Sequence, residues 1–215
     1  GHTRLALWDL TTASAQPFRY NGGLLSYNGE LWDHPRLRDE LENLGHHFRT
    51  TGDTEVVAAA LAEWGTDALP KLEGMWALAW SHKGKHIVAR DRFGKVPIYA
   101  VRSKGWFAWA SERKALGNLR GAASAIPPGS WLDVTTGLIH RFYAVPTVHY
   151  DPNRVLVDLE NGVRRRLAAD APVCCLVSGG IDSSLILALA KRQRPDVVAF
   201  TAVYDPASKD LAAAR

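Results

Sequence analysis

Three short stretches carry residues able to hold a free amino acid: Arg4 in HTRLAL, Asn28, Gly29 and Glu30 in SYNGEL, and Asp53 in TTGDTEV. An arginine fork is the natural partner of a carboxylate. Two acids, Glu30 and Asp53, can hold an ammonium group. The Asn28 amide and the Gly29 N–H can form an oxyanion hole for acyl chemistry. Ordinary readings stand beside these. Arg4 can be a surface charge, Asn-Gly is a common hairpin turn, and Asp53 is a plausible helix cap.

A second kind of chemistry is written in SGGIDSS, at Ser178–Ser184. Ser178, Gly179 and Gly180 follow an apolar run and open a helix. Glycines let the backbone approach a phosphate, and a helix N-terminus offers unpaired N–H groups and partial positive charge. Ser178, Ser183 and Ser184 add hydroxyls. Asp182 would repel an anion unless Mg²⁺ lies between them. No lysine is present, so this is not the GxxxxGK[ST] loop. The plain alternative is a strand-to-helix turn capped by Asp182 or Ser183.

The elements that must position these residues can be read from periodicity and turn chemistry. RLALWDL reads as a short strand, and GGLLSYNGELWD as a strand running into a turn at Asn28-Gly29. HPRLRDELENLG sets Leu37, Leu41 and Leu44 on one helical face. DTEVVAAALAEWG is a second helix, capped by Asp53 or Thr54 and stopped at Gly65. GMWALAWSHKGKHIVAR and PIYAVRSKGWFAWAS each read as two strands around a Lys-Gly turn. Beyond the proline-bearing AVPTVHYDPNR, strands alternate with helices, which argues for a parallel α/β sheet. The fold class expected is therefore α+β followed by α/β, with residues 1–143 as a first domain, 144–153 as linker and 154–215 as the beginning of a second.

Composition sets the outer limits. The chain has 215 residues, 47% hydrophobic and 22% charged, which suits a globular protein. The net charge of +4 is scattered, Arg164-Arg165-Arg166 being the densest run, so no nucleic-acid partner is expected. The two cysteines, Cys174 and Cys175, are adjacent and read as small buried hydrophobes rather than a disulfide framework. There is neither a membrane-length apolar run nor a signal peptide, and a cytoplasmic setting is expected. The abrupt start at Gly1, without Met, suggests that leading residues are missing.

Order along the chain adds a resemblance. GHTRLALWDL, YNGEL, GDTE, LEGMWALAW, ARDRFGKVPIY and ASERKAL follow one another as in the class II glutamine amidotransferase domain of the asparagine synthetase B family. SGGIDSS resembles the SGGxDS loop of ATP pyrophosphatases. The family implies an N-terminal-nucleophile αββα sandwich joined to a parallel-sheet ATP pyrophosphatase domain. Glutamine would be hydrolysed in the first, and ammonia would pass through a tunnel to a β-aspartyl-AMP made from aspartate and ATP in the second.

By that resemblance Arg4 binds the glutamine α-carboxylate, helped by the backbone of Leu5, Ala6, Leu7 and Trp8. Glu30 and Asp53 bind the α-amino group, and Asn28 and Gly29 form the oxyanion hole. Ser178, Gly179, Gly180, Asp182 and Ser183 hold the ATP phosphates with Mg²⁺ at Asp182, while Leu176 and Ala202 flank the adenine. Arg90, Asp91 and Arg92 look like a buried ion-pair network, and a homodimer is compatible with the family.

The family's nucleophile is an N-terminal cysteine whose own α-amine serves as base. No cysteine lies near Gly1, so the resemblance places it on a preceding segment, and the chain as written is expected to be an inactive fragment. FGKVPIY also departs from the commoner FGIKPLY. The rival readings are a relative without glutaminase activity, of the β-lactam synthetase or lasso-peptide cyclase type, and a non-catalytic nucleotide-binding module.

Overall fold

A computed structural model describes residues 2–149 and 151–203. Tyr150 of the expected linker, and the end of the strand expected over DVVAFTAVY, lie outside the described residues. The chain divides into two units, Gly1–Thr147 and Val148–Arg215.

The first unit is layered. Strands β1 (Phe18–Tyr20) and β2 (Gly23–Leu31) form a hairpin, followed by helices α1 (His34–Asn43) and α2 (Asp53–Trp64). Next come β3 (Gly74–His82), β4 (Lys85–Arg90), β5 (Tyr99–Ser103), β6 (Trp106–Ala110), β7 (Ser124–Ala125), β8 (Ser130–Asp133) and β9 (Ile139–Arg141). They make a six-stranded antiparallel sheet in the order β1-β2-β3-β4-β8-β9 and a three-stranded one in the order β6-β5-β7. Helices α1 and α2 cover the outer face of the larger sheet. The core there joins Leu37, Leu41, Val56 and Leu61 to Leu25, Trp76 and Leu78. Between the sheets lie Ala77, Ala79 and Val88 against Ile98 and Ala100. A 3₁₀ segment, Arg113–Leu119, closes the far side through Leu116 on Val101.

Both Lys-Gly hairpins form where expected: Lys83 and Gly84 have positive φ between β3 and β4, and Gly105 between β5 and β6. Four local expectations fail. RLALWDL is no strand; it runs as irregular chain, with Asp9 at φ +46°. Its conformation is fixed by side chains instead. Asp9 accepts from the Thr11 and Ser14 hydroxyls at 2.5 and 2.8 Å. Asn28-Gly29 is no turn, because β2 continues through it, opposite Ala77 and Trp76 of β3. Leu44 is exposed, since α1 ends at Asn43, one residue short of it.

The fourth concerns ARDRFGKVPIY. Asp91 is fully buried, yet its carboxylate accepts backbone N–H groups rather than cations: Phe93 and Lys95 at 2.9 and 3.1 Å, Trp76 and Val96 at 3.2 and 3.1 Å. Arg90 likewise donates to the carbonyls of Gly94, Val96 and Ile126. The turn points its N–H groups inward, and a buried N–H needs an acceptor. Among the described residues, the ion pair this motif makes is Arg92 with Glu73, at 3.6 Å.

In the second unit α3 (Pro152–Leu167), β10 (Cys174–Leu176), α4 (Ile181–Gln193) and β11 (Val198–Phe200) alternate, and β10 pairs with β11 in parallel. Pro152 and Asn153, read as linker, are the first turn of α3. The Asp151 carboxylate caps it from the Asn153 N–H at 2.9 Å, with proline where its missing N–H costs nothing. Helices α3 and α4 pack Val163 and Leu167 with Leu189 and Ala190. Cys174 is exposed and Cys175 only half-buried, against expectation, because one layer of helices covers one face of a two-stranded sheet. Among the described residues no helix is long and apolar enough to cross a membrane.

Candidate functional site

Every amino-acid-binding candidate of the first unit lines a single cavity of about 150 Å³. The irregular chain over residues 2–11 supplies Arg4, Leu5, Ala6, Leu7 and Trp8. Strand β2 supplies Asn28, Gly29 and Glu30, and the start of α2 supplies Asp53. The volume suits a small metabolite rather than a drug-sized ligand, for which several hundred Å³ are usual.

Asp53 reaches the cavity because it does not cap α2. Gly52 occupies the N-cap position without a side-chain bond, so the Asp53 carboxylate turns inward. It accepts from the Tyr27 hydroxyl at 2.9 Å and the Leu31 N–H at 3.0 Å. Burial raises its pKa, against the pull of those two hydrogen bonds, His34 and Arg4. The carboxylate of Glu30, half-buried on β2, has no hydrogen-bond partner among the described residues. Burial, reinforced by the negative charge of Asp53, pushes its pKa up to about 8.

Arg4 stabilises its own loop. Nη2 donates to the carbonyls of Trp8 and Asp9 at 2.6 and 2.7 Å, and Nη1 donates to that of Thr11 at 3.1 Å. Its Nε–H takes no part in these three bonds. The guanidinium therefore both folds the loop that walls the cavity and adds a positive charge to the lining that includes the two acids. Asn28 donates from Nδ2 to the Ser111 hydroxyl at 3.4 Å, which ties β2 to the end of β6 across the two sheets.

Three residues that motif reasoning did not single out help build the site. Tyr27, fully buried, holds Asp53; its own pKa is driven well above 10 by burial, then by the Asp53 charge. Gln16 replaces a missing strand partner, donating to the Tyr27 carbonyl at 2.6 Å and accepting its N–H at 2.5 Å. His34 stacks edge-on against Trp8, with centroids 4.5 Å apart, and burial lowers its pKa. Alternation along β2 could have flagged Tyr27, which shares a face with Leu25 and Leu31. Gln16 and His34 carry no sequence signal.

The raised Glu30 pKa makes a stability prediction. Between about 4.5 and 8 the unfolded chain gives up a proton that folded Glu30 keeps. Glu30 therefore destabilises the fold increasingly as pH rises through that window, and no further above it. Glu30→Gln should raise stability of the empty chain at neutral pH by about 2 kcal/mol, a figure discounted for partial exposure. Denaturant titrations at several pH values measure it, and equal stability of both proteins at pH 5 and pH 8 would contradict the assignment.

In the second unit the SGGIDSS loop joins β10 to α4. Gly179 has φ +80°, and Gly180, not Asp182 or Ser183, is the N-cap. Ser183 instead ties the loop together: its Oγ accepts from the Ser178 N–H at 3.2 Å and donates to the Gly180 carbonyl at 3.1 Å. Leu176 before the loop is 80% exposed, and Ala202 beyond β11 is also exposed. Asp182 stands in the first turn of α4, exposed.

Residues 1–152 match the family model of a glutamine amidotransferase domain, and residues 154–215 that of asparagine synthase. The chain is 35% identical over 204 residues to asparagine synthetase [glutamine-hydrolyzing] 3 of Arabidopsis thaliana, covering 89% of this chain and 35% of that protein. It is 36% identical over 205 residues to asparagine synthetase B [glutamine-hydrolyzing] of Escherichia coli K12, covering 89% and 36%. The chain thus spans about a third of the length of these curated relatives. Among solved structures, glutamine phosphoribosylpyrophosphate amidotransferase from B. subtilis superposes with a TM-score of 0.56 at 22% identity, covering 98% of this chain and 55% of that one. That likeness shows the fold alone, a mixed α/β architecture with packed antiparallel sheets.

Proposed function

Since the chain belongs to the glutamine amidotransferase domain family, with an asparagine synthase segment behind that domain, we propose that it is part of a glutamine-hydrolysing asparagine synthetase. The observation that carries this reading is the single small cavity that Arg4, Glu30 and Asp53 line together. Opposite charges lining one pocket match the carboxylate and ammonium of an α-amino acid.

Glutamine would lie with its α-ammonium on Glu30 and Asp53 and its α-carboxylate on Arg4 and the backbone of Leu5–Trp8. Its side-chain carboxamide would then reach Asn28 and Gly29. During attack the amide oxygen gains negative charge, and the Asn28 Nδ2–H and the Gly29 N–H are the donors that would stabilise it. The attacking group would be the N-terminal cysteine that the family resemblance implies.

In the second unit the Ser178–Ser183 loop would hold ATP phosphates, with Leu176 and Ala202 beside the adenine. Gly179 and Gly180 keep the backbone open to a phosphate, and the α4 N-terminus supplies N–H groups. Asp182 is the one carboxylate at the loop. It fits Mg²⁺ that is shared with the phosphates, and the ion would neutralise their charge. Aspartate would be activated there as an acyl-adenylate, and ammonia would displace AMP to give asparagine. The reading includes a cytoplasmic setting and a homodimer.

Titration of the chain with L-glutamine by calorimetry tests the first unit. Saturable binding, abolished in Asp53→Asn and absent for glutarate, is expected. Equal binding of glutarate would overturn the pocket assignment. For the activity, the gene product that carries this chain should form asparagine only with glutamine, aspartate and ATP together.

A further inference from the structure

The empty pocket poses a charge problem. It sets Glu30 and Asp53 against the same small cavity, and Arg4, the cation beside them, is already bonded to three carbonyls. The two acids are not equivalent. Asp53 accepts hydrogen bonds from the Tyr27 hydroxyl and the Leu31 N–H, which favour its ionised form. Glu30 accepts none from the described residues and can still reach the cavity.

We propose that in the empty pocket one proton is held on the Glu30 side of the Glu30–Asp53 pair and that an incoming α-ammonium displaces it, Glu30 being the group that exchanges the proton for the ligand's charge. The proposal rests on the amino-acid reading of this pocket and adds a linkage to it. The balance is simple. A carboxylic acid plus an ammonium becomes a carboxylate–ammonium pair plus a proton released to solvent. The same exchange makes the pair a discriminator, because an uncharged group cannot displace the proton and gains no ion pair.

The other titratable groups around the pair do not supply that proton near neutral pH. His34 on α1, close to Asp53 and Arg38, is held below its ordinary value by burial. His2, on the irregular chain, is lowered by burial and then by Arg4. Tyr27 on β2 keeps its proton far above neutrality. The elevation of Glu30 to about 8 agrees with the geometry.

Calorimetric titration of the chain with L-glutamine near pH 7, in phosphate and in Tris, decides the matter. Tris has the larger ionisation enthalpy, so the two heats should differ by the gap between the two buffers' ionisation enthalpies multiplied by nearly a full proton released. Affinity should rise about tenfold per pH unit below about 8 and then level off. Glu30→Gln should bind more weakly, with the same heat in both buffers and a flat pH profile. Binding with identical heats in wild type overturns this proposal while leaving the glutamine reading intact. Failure to bind glutamine at any pH overturns both.

Discussion

Gly29→Ala is expected to unfold the first unit or cost it about 3 kcal/mol, the upper part of the usual range for overpacking. A Cβ at this position would lie 2.2 Å from the Met75 carbonyl oxygen and 2.6 Å from Trp76 Cα. Neither is the end of a flexible side chain. Both belong to the backbone of β3, which is held in register with β2 from Leu24 opposite Ser81 to Leu31 opposite Gly74. Relief therefore requires β2 and β3, the longest-paired strands of the larger sheet, to separate. That pair also carries Asn28 and Glu30, so ligand binding should disappear together with stability. Chemical denaturation of the chain, read by its buried Trp76, measures the first effect. A fully stable Gly29→Ala protein would show that β2 and β3 can separate locally, and the packing argument would fail.

Asp91→Ala should be about as damaging, at about 4 kcal/mol, through hydrogen bonding rather than packing. Four backbone N–H groups, of Trp76, Phe93, Lys95 and Val96, converge on this fully buried carboxylate. Alanine leaves all four without this acceptor, and each unsatisfied buried donor costs on the order of 1 kcal/mol or more. Asp91→Asn keeps one acceptor oxygen and should lose about half as much. This order, wild type above Asn above Ala, is what denaturation midpoints should show. Equal losses for the two variants would indicate that the site needs both carboxylate oxygens, and the graded dependence on acceptor number would fail. Val96 lines the candidate pocket and Trp76 lies opposite Gly29, so the turn that Asp91 organises is also a wall of the site.

These two residues illustrate different limits of reading a chain. Gly29 could be named from its motif, yet its structural reason could not. Asn-Gly has strong local turn chemistry, and only the ladder to β3 overrides it. Asp91 was legible as buried and charged in ARDRFGKVPIY, but its partners are N–H groups of a turn whose path the sequence does not show.

The sequence by itself determined what depends on near neighbours and on residue chemistry. It placed α1 and α2, whose apolar residues recur at helical spacing, and both Lys-Gly hairpins, whose turns require positive φ. It also indicated the change from antiparallel to parallel architecture, and which residue types could bind an amino acid or a phosphate. The tertiary structure alone decided what depends on groups distant along the chain. It drew Arg4, Glu30 and Asp53 around one cavity, turned Asp53 inward by giving its cap position to Gly52, and ran β2 straight through Asn28-Gly29. It also bent RLALWDL into a loop on the Arg4 guanidinium. The physical reason is common to all four. A buried carboxylate, guanidinium or backbone N–H must find a partner, and that partner is chosen by packing, not by position in the sequence.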